Sequence, residues 1–154
     1  MAKYYQGKFK PKAPQKYMGD PTNVIYRSGW EFKLMRYLDS HPKVLEWGSE
    51  ELIVPYRSPI DGRVHRYFPD FLVKQINKNG IKETILIEVK PKAQTIPPDI
   101  SKKSTSKGNV SRKYINEVKT WGINQAKWKA ATLWCGQQGI KFRVLNENDI
   151  FSQM

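Results

Sequence analysis

The chain has 154 residues, enough to bury a real core and too few for two independent domains. Its 39% hydrophobic and 12% aromatic content excludes a disordered chain, and no apolar run is long enough to span a bilayer. Lys and Arg outnumber Asp and Glu by 27 to 14, for a net charge of +13, so a polyanion is the expected partner.

That excess is concentrated. Residues 1–19 carry five lysines and no acid, and residues 89–129 carry ten basic residues against Asp99 and Glu117. The remainder balances, twelve of each sign. Concentration of this kind favours phosphate binding over a merely solubilising surface. The single cysteine, Cys135, forbids an intrachain disulfide and fits a reducing cytoplasm. It lies between Trp134 and Gly136 in a helical pattern and reads as a small apolar filler. Two histidines and one cysteine are too few for a structural zinc site of the usual kind. The start, Met1 to Gln6, lacks the apolar stretch of a secretory signal.

In chain order, residues 1–22 are rich in Lys, Tyr, Gly and Pro without a period. They read as a flexible basic arm that orders only against a surface or DNA, with a single domain over 23–154. A first helix is expected over 29–40: Ser28 is a good N-cap, Glu31 stands three residues on, and Trp30, Leu34 and Leu38 repeat on one face. His41-Pro42 ends it. Three strands follow Trp47-Gly48, over 52–57, 63–74 and 82–90, separated by Ser58-Pro59-Ile60-Asp61-Gly62 and Asn77-Lys78-Asn79-Gly80. Together they suggest an antiparallel meander.

Pro91 blocks further pairing, and Pro97-Pro98 keeps the chain extended toward a polar, basic, mobile loop over 99–109. A long helix over 111–138 places Ile115, Val118, Trp121, Gly122, Ala126, Ala130 and Leu133 or Trp134 inward, and Gly139 is its C-cap. Gly122 is a candidate interruption. A last strand over 140–145 and a short C-terminal turn or helix complete an α/β layer with a mixed sheet and flanking helices.

The chemistry centres on Asp70, at the end of Tyr67-Phe68-Pro69-Asp70, and on Ile87-Glu88-Val89-Lys90. Alternate strand residues share a face, so Glu88 and Lys90 go together, and a short turn can bring their strand end beside Asp70. Two carboxylates converging there would hold Mg²⁺ or Mn²⁺ through oxygen, with the Val89 carbonyl as a candidate extra ligand. Lys90 would orient a water or neutralise charge on a phosphate. Glu-x-Lys alone carries little, because it occurs three times, at Glu31, Glu88 and Glu117. The competing account is an Asp70–Lys90 cross-strand ion pair with Glu88 solvated. Glu31 also has two readings: half of a capping box with Ser28, which the spacing favours, or a third carboxylate delivered from the helix. His41 and His65 lack a partner spacing and read as surface or strand residues. The five tryptophans read as mostly core, with Trp121 and Trp128, seven apart, as a packing stripe more than a base-stacking platform.

These residues resemble the PD-(D/E)xK nuclease superfamily. The resemblance runs through Ser28-Gly29-Trp30-Glu31, Tyr67-Phe68-Pro69-Asp70-Phe71 and Ile87-Glu88-Val89-Lys90-Pro91, and is similar to the N-terminal nuclease domain of TnsA-type transposition endonucleases. It implies a restriction-endonuclease-like core and makes Glu31 a site residue. Over nearly the whole chain the sequence also resembles the head-completion nucleases of myovirus-type tailed phages. That likeness rests on stretches such as Tyr17-Met18-Gly19-Asp20-Pro21, Glu46-Trp47-Gly48-Ser49-Glu50 and Lys127-Trp128-Lys129-Ala130-Ala131.

The implied function is a divalent-metal-dependent DNA endonuclease acting on the phage head after packaging. Asp70 and Glu88 would bind metal, Lys90 would assist the water and Glu31 would support the site. Lys102, Lys103, Lys107, Arg112 and Lys113 are expected to contact the backbone of double-stranded DNA. Portal or head-completion proteins are implied partners, no membrane is involved, and the setting is the host cytoplasm or the head vertex of the virion. The alternative is a non-catalytic head-completion factor that binds DNA or the portal. Only the enzyme needs Asp70, Glu88 and Lys90 to converge.

Overall fold

The computed structural model describes residues 6–152. In chain order these form β1 (Gly7–Phe9), β2 (Val24–Tyr26), α1 (Gly29–Ser40), β3 (Val44–Ser49), β4 (Val54–Arg57), β5 (Val64–Tyr67), β6 (Phe71–Ile76), β7 (Lys82–Val89), α2 (Arg112–Gln138), β8 (Lys141–Leu145) and α3 (Glu147–Ser152). The central sheet runs β3-β6-β7-β8. Its first two pairings are antiparallel, and β7 pairs β8 in parallel. A parallel neighbour needs a long crossover, and α2 supplies it. The architecture is α/β with a mixed sheet and flanking helices.

Strand alternation divides the core between the two faces of this sheet. Phe71, Val73, Ile85 and Ile87 pack with Leu34, Met35 and Leu38 of α1, together with Trp47, Phe9 and Tyr17. Leu86 joins Val54, Tyr56, Tyr67, Ala131 and Cys135, with Leu72 and Phe142 packed against them. Glu88 falls in the Leu86 alternation, so the sheet delivers a carboxylate to the α2 side. Among the described residues no helix is long and apolar enough to cross a membrane.

Both long helices end where their sequences dictate. The Ser28 Oγ accepts from the Glu31 N–H at 3.1 Å, and the Ser111 Oγ accepts from the Tyr114 N–H at 3.3 Å. Gly139 closes α2 at φ 71°, a left-handed conformation that costs glycine little. Gly122 does not interrupt α2.

Several expectations need correction. Residues 6–22 are no free arm; residues 1–5 of that segment lie outside the described residues. Gly7–Phe9 pairs with Val24–Tyr26, and Phe9 and Tyr17 are buried against the Trp47 ring, edge to face. The Lys16 ammonium donates to the carbonyl oxygens of Asp39 at 3.1 Å and His41 at 2.9 Å, which satisfies the acceptor end of α1. Aromatic anchors and a helix terminus hold the segment, and neither is visible as a sequence period.

The meander also fails. Tyr67 and Phe71 belong to different strands, because the Pro69 break separates β5 from β6, and β4 and β5 form their own two-stranded sheet. Val44–Ser49, ahead of the three expected strands, is an edge strand of the central sheet. Ile115 and Val118 are exposed, at 40% and 41%, and of Leu133 and Trp134 it is Trp134 that packs inward. At 27 residues α2 is about 40 Å long, against about 17–27 Å for the central strands, so its first half overhangs the sheet. Its buried positions are Asn124, Ala131 and Cys135. Of the tryptophans only Trp47 is fully buried. The 99–109 loop is hydrogen-bonded within itself: Thr105 N–H donates to Asn109 O at 2.7 Å, and Ser111 N–H to Lys103 O at 2.8 Å.

Candidate active site

The register of β6 and β7 builds the site. Phe71 lies opposite Ile87 and Leu72 opposite Leu86, so one step before β6 Asp70 comes opposite Glu88. Pro69, fully buried, breaks the strand just ahead and fixes the Asp70 backbone. The Val89 N–H donates to Asp70 Oδ2 at 2.7 Å. Glu88 is 5% exposed, and its Oε2 accepts from the Tyr67 hydroxyl at 2.6 Å. Burial, then the negative charge of Glu88 and contact with its carboxyl, push the Asp70 carboxyl far above the usual carboxylate range. Burial, again followed by Glu88, also holds the Tyr67 hydroxyl protonated well above the usual tyrosine range.

Among the described residues neither Asp70 nor Glu88 forms an ion pair. The cross-strand Asp70–Lys90 pair is therefore not formed, and Glu88 is not solvated. Two carboxyl groups in contact and largely out of water cannot both ionise cheaply unless a cation joins them. Their oxygens are the hard donors that a divalent ion such as Mg²⁺ or Mn²⁺ prefers. The donor set fits such an ion. Among the described residues no ready-made group of three or more His, Cys, Asp or Glu side chains is assembled, so Glu31 is not a third member of a preformed cluster.

Glu31 keeps its capping role. Its N–H makes the cap on Ser28, while its Oε2 accepts from the Ser28 hydroxyl at 3.2 Å. Burial raises its carboxyl above the usual range, and its charge is felt at Asp70. Lys90 continues the β7–β8 ladder, donating its N–H to Leu145 O at 2.9 Å. The Val89 N–H serves Asp70, and its side chain packs on the α1 side of the sheet.

Sequence reasoning missed Lys127. It sits on α2 with its ammonium over the rings of Tyr67 at 5.4 Å and Tyr56 at 5.8 Å. Burial, then the charge of Lys90, lowers its pKa, while Glu88 and Asp70 oppose the shift. Its signal was a lysine between Asn124 and Ala131 on the buried stripe of a helix, where an apolar residue is expected. Glu50 was missed as well. It is the only non-glycine with positive φ (54°) among the described residues, its N–H donates to Asp70 O at 3.0 Å, and its carboxylate pairs with Arg27.

Lys102, Lys103, Lys107, Arg112 and Lys113 are exposed on the 3-10 turn after Asp99, the following loop and the start of α2. They form no part of the carboxylate cluster. Lys102 and Lys113 line one cavity between the segment after Lys90 and α2.

The family model for the TnsA-like endonuclease N-terminal domain matches residues 41–147, a span that includes Asp70, Glu88, Lys90 and Lys127 and begins after Glu31. The chain is also 39% identical over 146 residues to the "Head completion nuclease" of Enterobacteria phage T4, covering 95% of this chain and 93% of that protein. With a strand register that converges Asp70 on Glu88, these matches make the chain a member of the TnsA-like endonuclease N-terminal family.

Proposed function

We propose that this protein is a divalent-metal-dependent DNA endonuclease that hydrolyses phosphodiester bonds. The observation that carries the reading is the buried Asp70–Glu88 contact without a paired cation. Asp70 and Glu88 would hold Mg²⁺ or Mn²⁺ through their carboxylate oxygens, with the Val89 carbonyl as a further donor. Such an ion, when bound, polarises the scissile phosphate and makes a bound water more acidic.

The remaining steps fall to the chain itself. Tyr67 orients Glu88 through its hydroxyl, and the Val89 N–H orients Asp70. Lys90 and Lys127 bring positive charge to the phosphate as negative charge builds on it. Glu31 supports the site from the first turn of α1. Lys102, Lys103, Lys107, Arg112 and Lys113 meet the phosphates of double-stranded DNA, which makes binding salt-sensitive and largely independent of sequence. We further infer a role in head completion after DNA packaging, in the host cytoplasm or at the head vertex, with portal or head-completion proteins as partners. The named phage relative supports that inference.

The test is cleavage of linear and supercoiled DNA with Mg²⁺ or Mn²⁺, comparing the wild type with Asp70→Asn. Metal-dependent cutting that disappears in the variant is expected. Salt-sensitive binding with no cutting by either protein would overturn the enzymatic reading in favour of a structural factor.

A further inference from the structure

A cavity of about 790 Å³ lies between the segment that follows Lys90 and the overhanging first half of α2, lined by Pro97, Lys102, Lys113, Glu117, Trp121 and Asn124 among others. Its volume is that of a site for an organic ligand. Asn124 is 4% exposed, and its side-chain amide nitrogen has no hydrogen-bond partner. A buried donor left unpaired is costly; the Trp47 and Trp128 indole nitrogens are in the same state, and of the three only Asn124 lines this cavity.

Of the three tryptophans on α2, Trp121 differs from Trp128 and Trp134 in a way that identifies the partner's chemistry. Trp128 packs against the core formed by β4, β5 and α2. Trp121, seven residues earlier, belongs to neither core cluster and lines the cavity. An indole free of the core, flanked by two lysines, is the arrangement that stacks a base while cations meet its neighbouring phosphates. Glu117 adds an acceptor of the kind an exocyclic amino group uses.

Position ties the cavity to the carboxylates. Trp121, Asn124 and Lys127 follow at three-residue intervals, the spacing of neighbours on a helix surface. The Lys127 ammonium lies 5.4 Å from the centre of the Tyr67 ring, and the Tyr67 hydroxyl donates to Glu88 Oε2. Six residues of α2 span about 9 Å, between two and three base steps of about 3.4 Å. A base inside a duplex presents neither face to an indole, so only an unpaired base can enter.

We propose that this cavity holds one unpaired nucleobase of the DNA, two or three nucleotides from the bond being cut. The base stacks on Trp121 and accepts a hydrogen bond from the Asn124 amide, and Lys102 and Lys113 hold the adjoining phosphates. The proposal rests on the nuclease reading and narrows its substrate to DNA with a single-stranded end, gap or fork.

The experiment measures binding in the Asp70→Asn background with Mg²⁺, where cutting is expected to be lost. The probes are a blunt duplex, a duplex with a short overhang carrying 2-aminopurine at successive positions, and the same overhang with an abasic residue instead. The base-containing overhang should bind about 10-fold more tightly than its abasic counterpart. The 2-aminopurine emission should be quenched at one position, and both effects should vanish when Trp121→Ala is added. Asn124→Leu, close in shape and free of the unpaired donor, should lose the same discrimination while its Tm stays level or rises, which rules out misfolding as the cause. Equal affinity for base-containing and abasic overhangs, or discrimination that survives Trp121→Ala, would overturn the proposal and leave the nuclease reading standing. Failure to bind any of the three DNAs would overturn both.

Discussion

Two sets of buried acids sit on opposite sides of the sheet, and they are satisfied in opposite ways. Asp39, 6% exposed near the end of α1, accepts from the Lys12 N–H at 2.8 Å and the Ala13 N–H at 3.1 Å. Backbone donors from the N-terminal segment hold that carboxylate and anchor the segment in return. Asp70 and Glu88 face each other instead, with one backbone N–H on the first and one tyrosine hydroxyl on the second. Burial of an acid is therefore not a mark of chemistry in this molecule. An acid whose nearest strong neighbour is another acid is such a mark, because the fold has left a charge for something else to balance.

The sharpest way to break this comparison is a pair of substitutions with opposite signatures. Asp70→Asn should lower metal-dependent cleavage at least about 10³-fold, since it removes the negative charge of one of the two carboxylates proposed to hold the ion. The same change should stabilise the metal-free protein by about 0.5–2 kcal/mol, because a neutral amide escapes the burial and the Glu88 charge that disfavour the ionised carboxylate. Asp39→Ala should cost about 1–3 kcal/mol of stability by orphaning two backbone donors, and should leave the chemistry intact in the folded fraction. Chemical denaturation and a cleavage assay on the two variants read all four outcomes. Loss of stability in Asp70→Asn would dissolve the distinction.

The pH dependence sharpens it further. Asp70 binds its proton more tightly in the folded state than when unfolded. The native state then holds more protons over that range, and metal-free stability falls as pH rises from about 4 through the raised value, by at most about 1.4 kcal/mol per unit. Divalent metal should flatten that fall, and so should Asp70→Asn. A metal-free stability that climbs across the same range would contradict the assignment. A smaller effect belongs to Tyr67→Phe, which deletes the donor to Glu88 Oε2 and should weaken apparent metal affinity about 10–100-fold while leaving maximal cutting at saturating metal closer to normal. Metal titration of the cleavage rate separates the two.

The approach of Asp70 to Glu88 was more legible in the sequence than the scaffold around it. Asp70, Glu88 and Lys90 are close in sequence and joined by two short strands, so alternation and one turn suffice to bring the carboxylates together. The α1 boundaries followed from Ser28 and from His41-Pro42, both local signals. What was lost depended on distant contacts. Lys127 reaches the site only because α2 crosses back over the sheet between β7 and β8, and nothing near residue 127 announces that neighbour. The N-terminal lysines read as part of a flexible basic arm, yet Lys16 serves the carbonyl end of a helix more than twenty residues away. Charge was visible in both places, and the partner was not. The exposed Ile115 and Val118 misled in the reverse sense, since helical periodicity records a face without saying whether the sheet extends far enough to cover it.

Glu31 offers the finest division between structure and chemistry, because its capping role and its proposed role at the site use different atoms. The cap needs the Glu31 N–H and the Ser28 oxygen, while any service to the metal site needs the Glu31 carboxylate. Glu31→Gln keeps the first and removes the charge felt at Asp70, so stability should change by only a few tenths of a kcal/mol while cutting falls. Ser28→Ala deletes the cap acceptor and should cost about 1 kcal/mol of stability. It also frees Glu31 Oε2 from its hydroxyl partner, so the cleavage rate per folded molecule should change far less than in Glu31→Gln. If both variants lose stability equally and cut equally well, Glu31 is a capping residue and the site is served by Asp70, Glu88 and the two lysines alone.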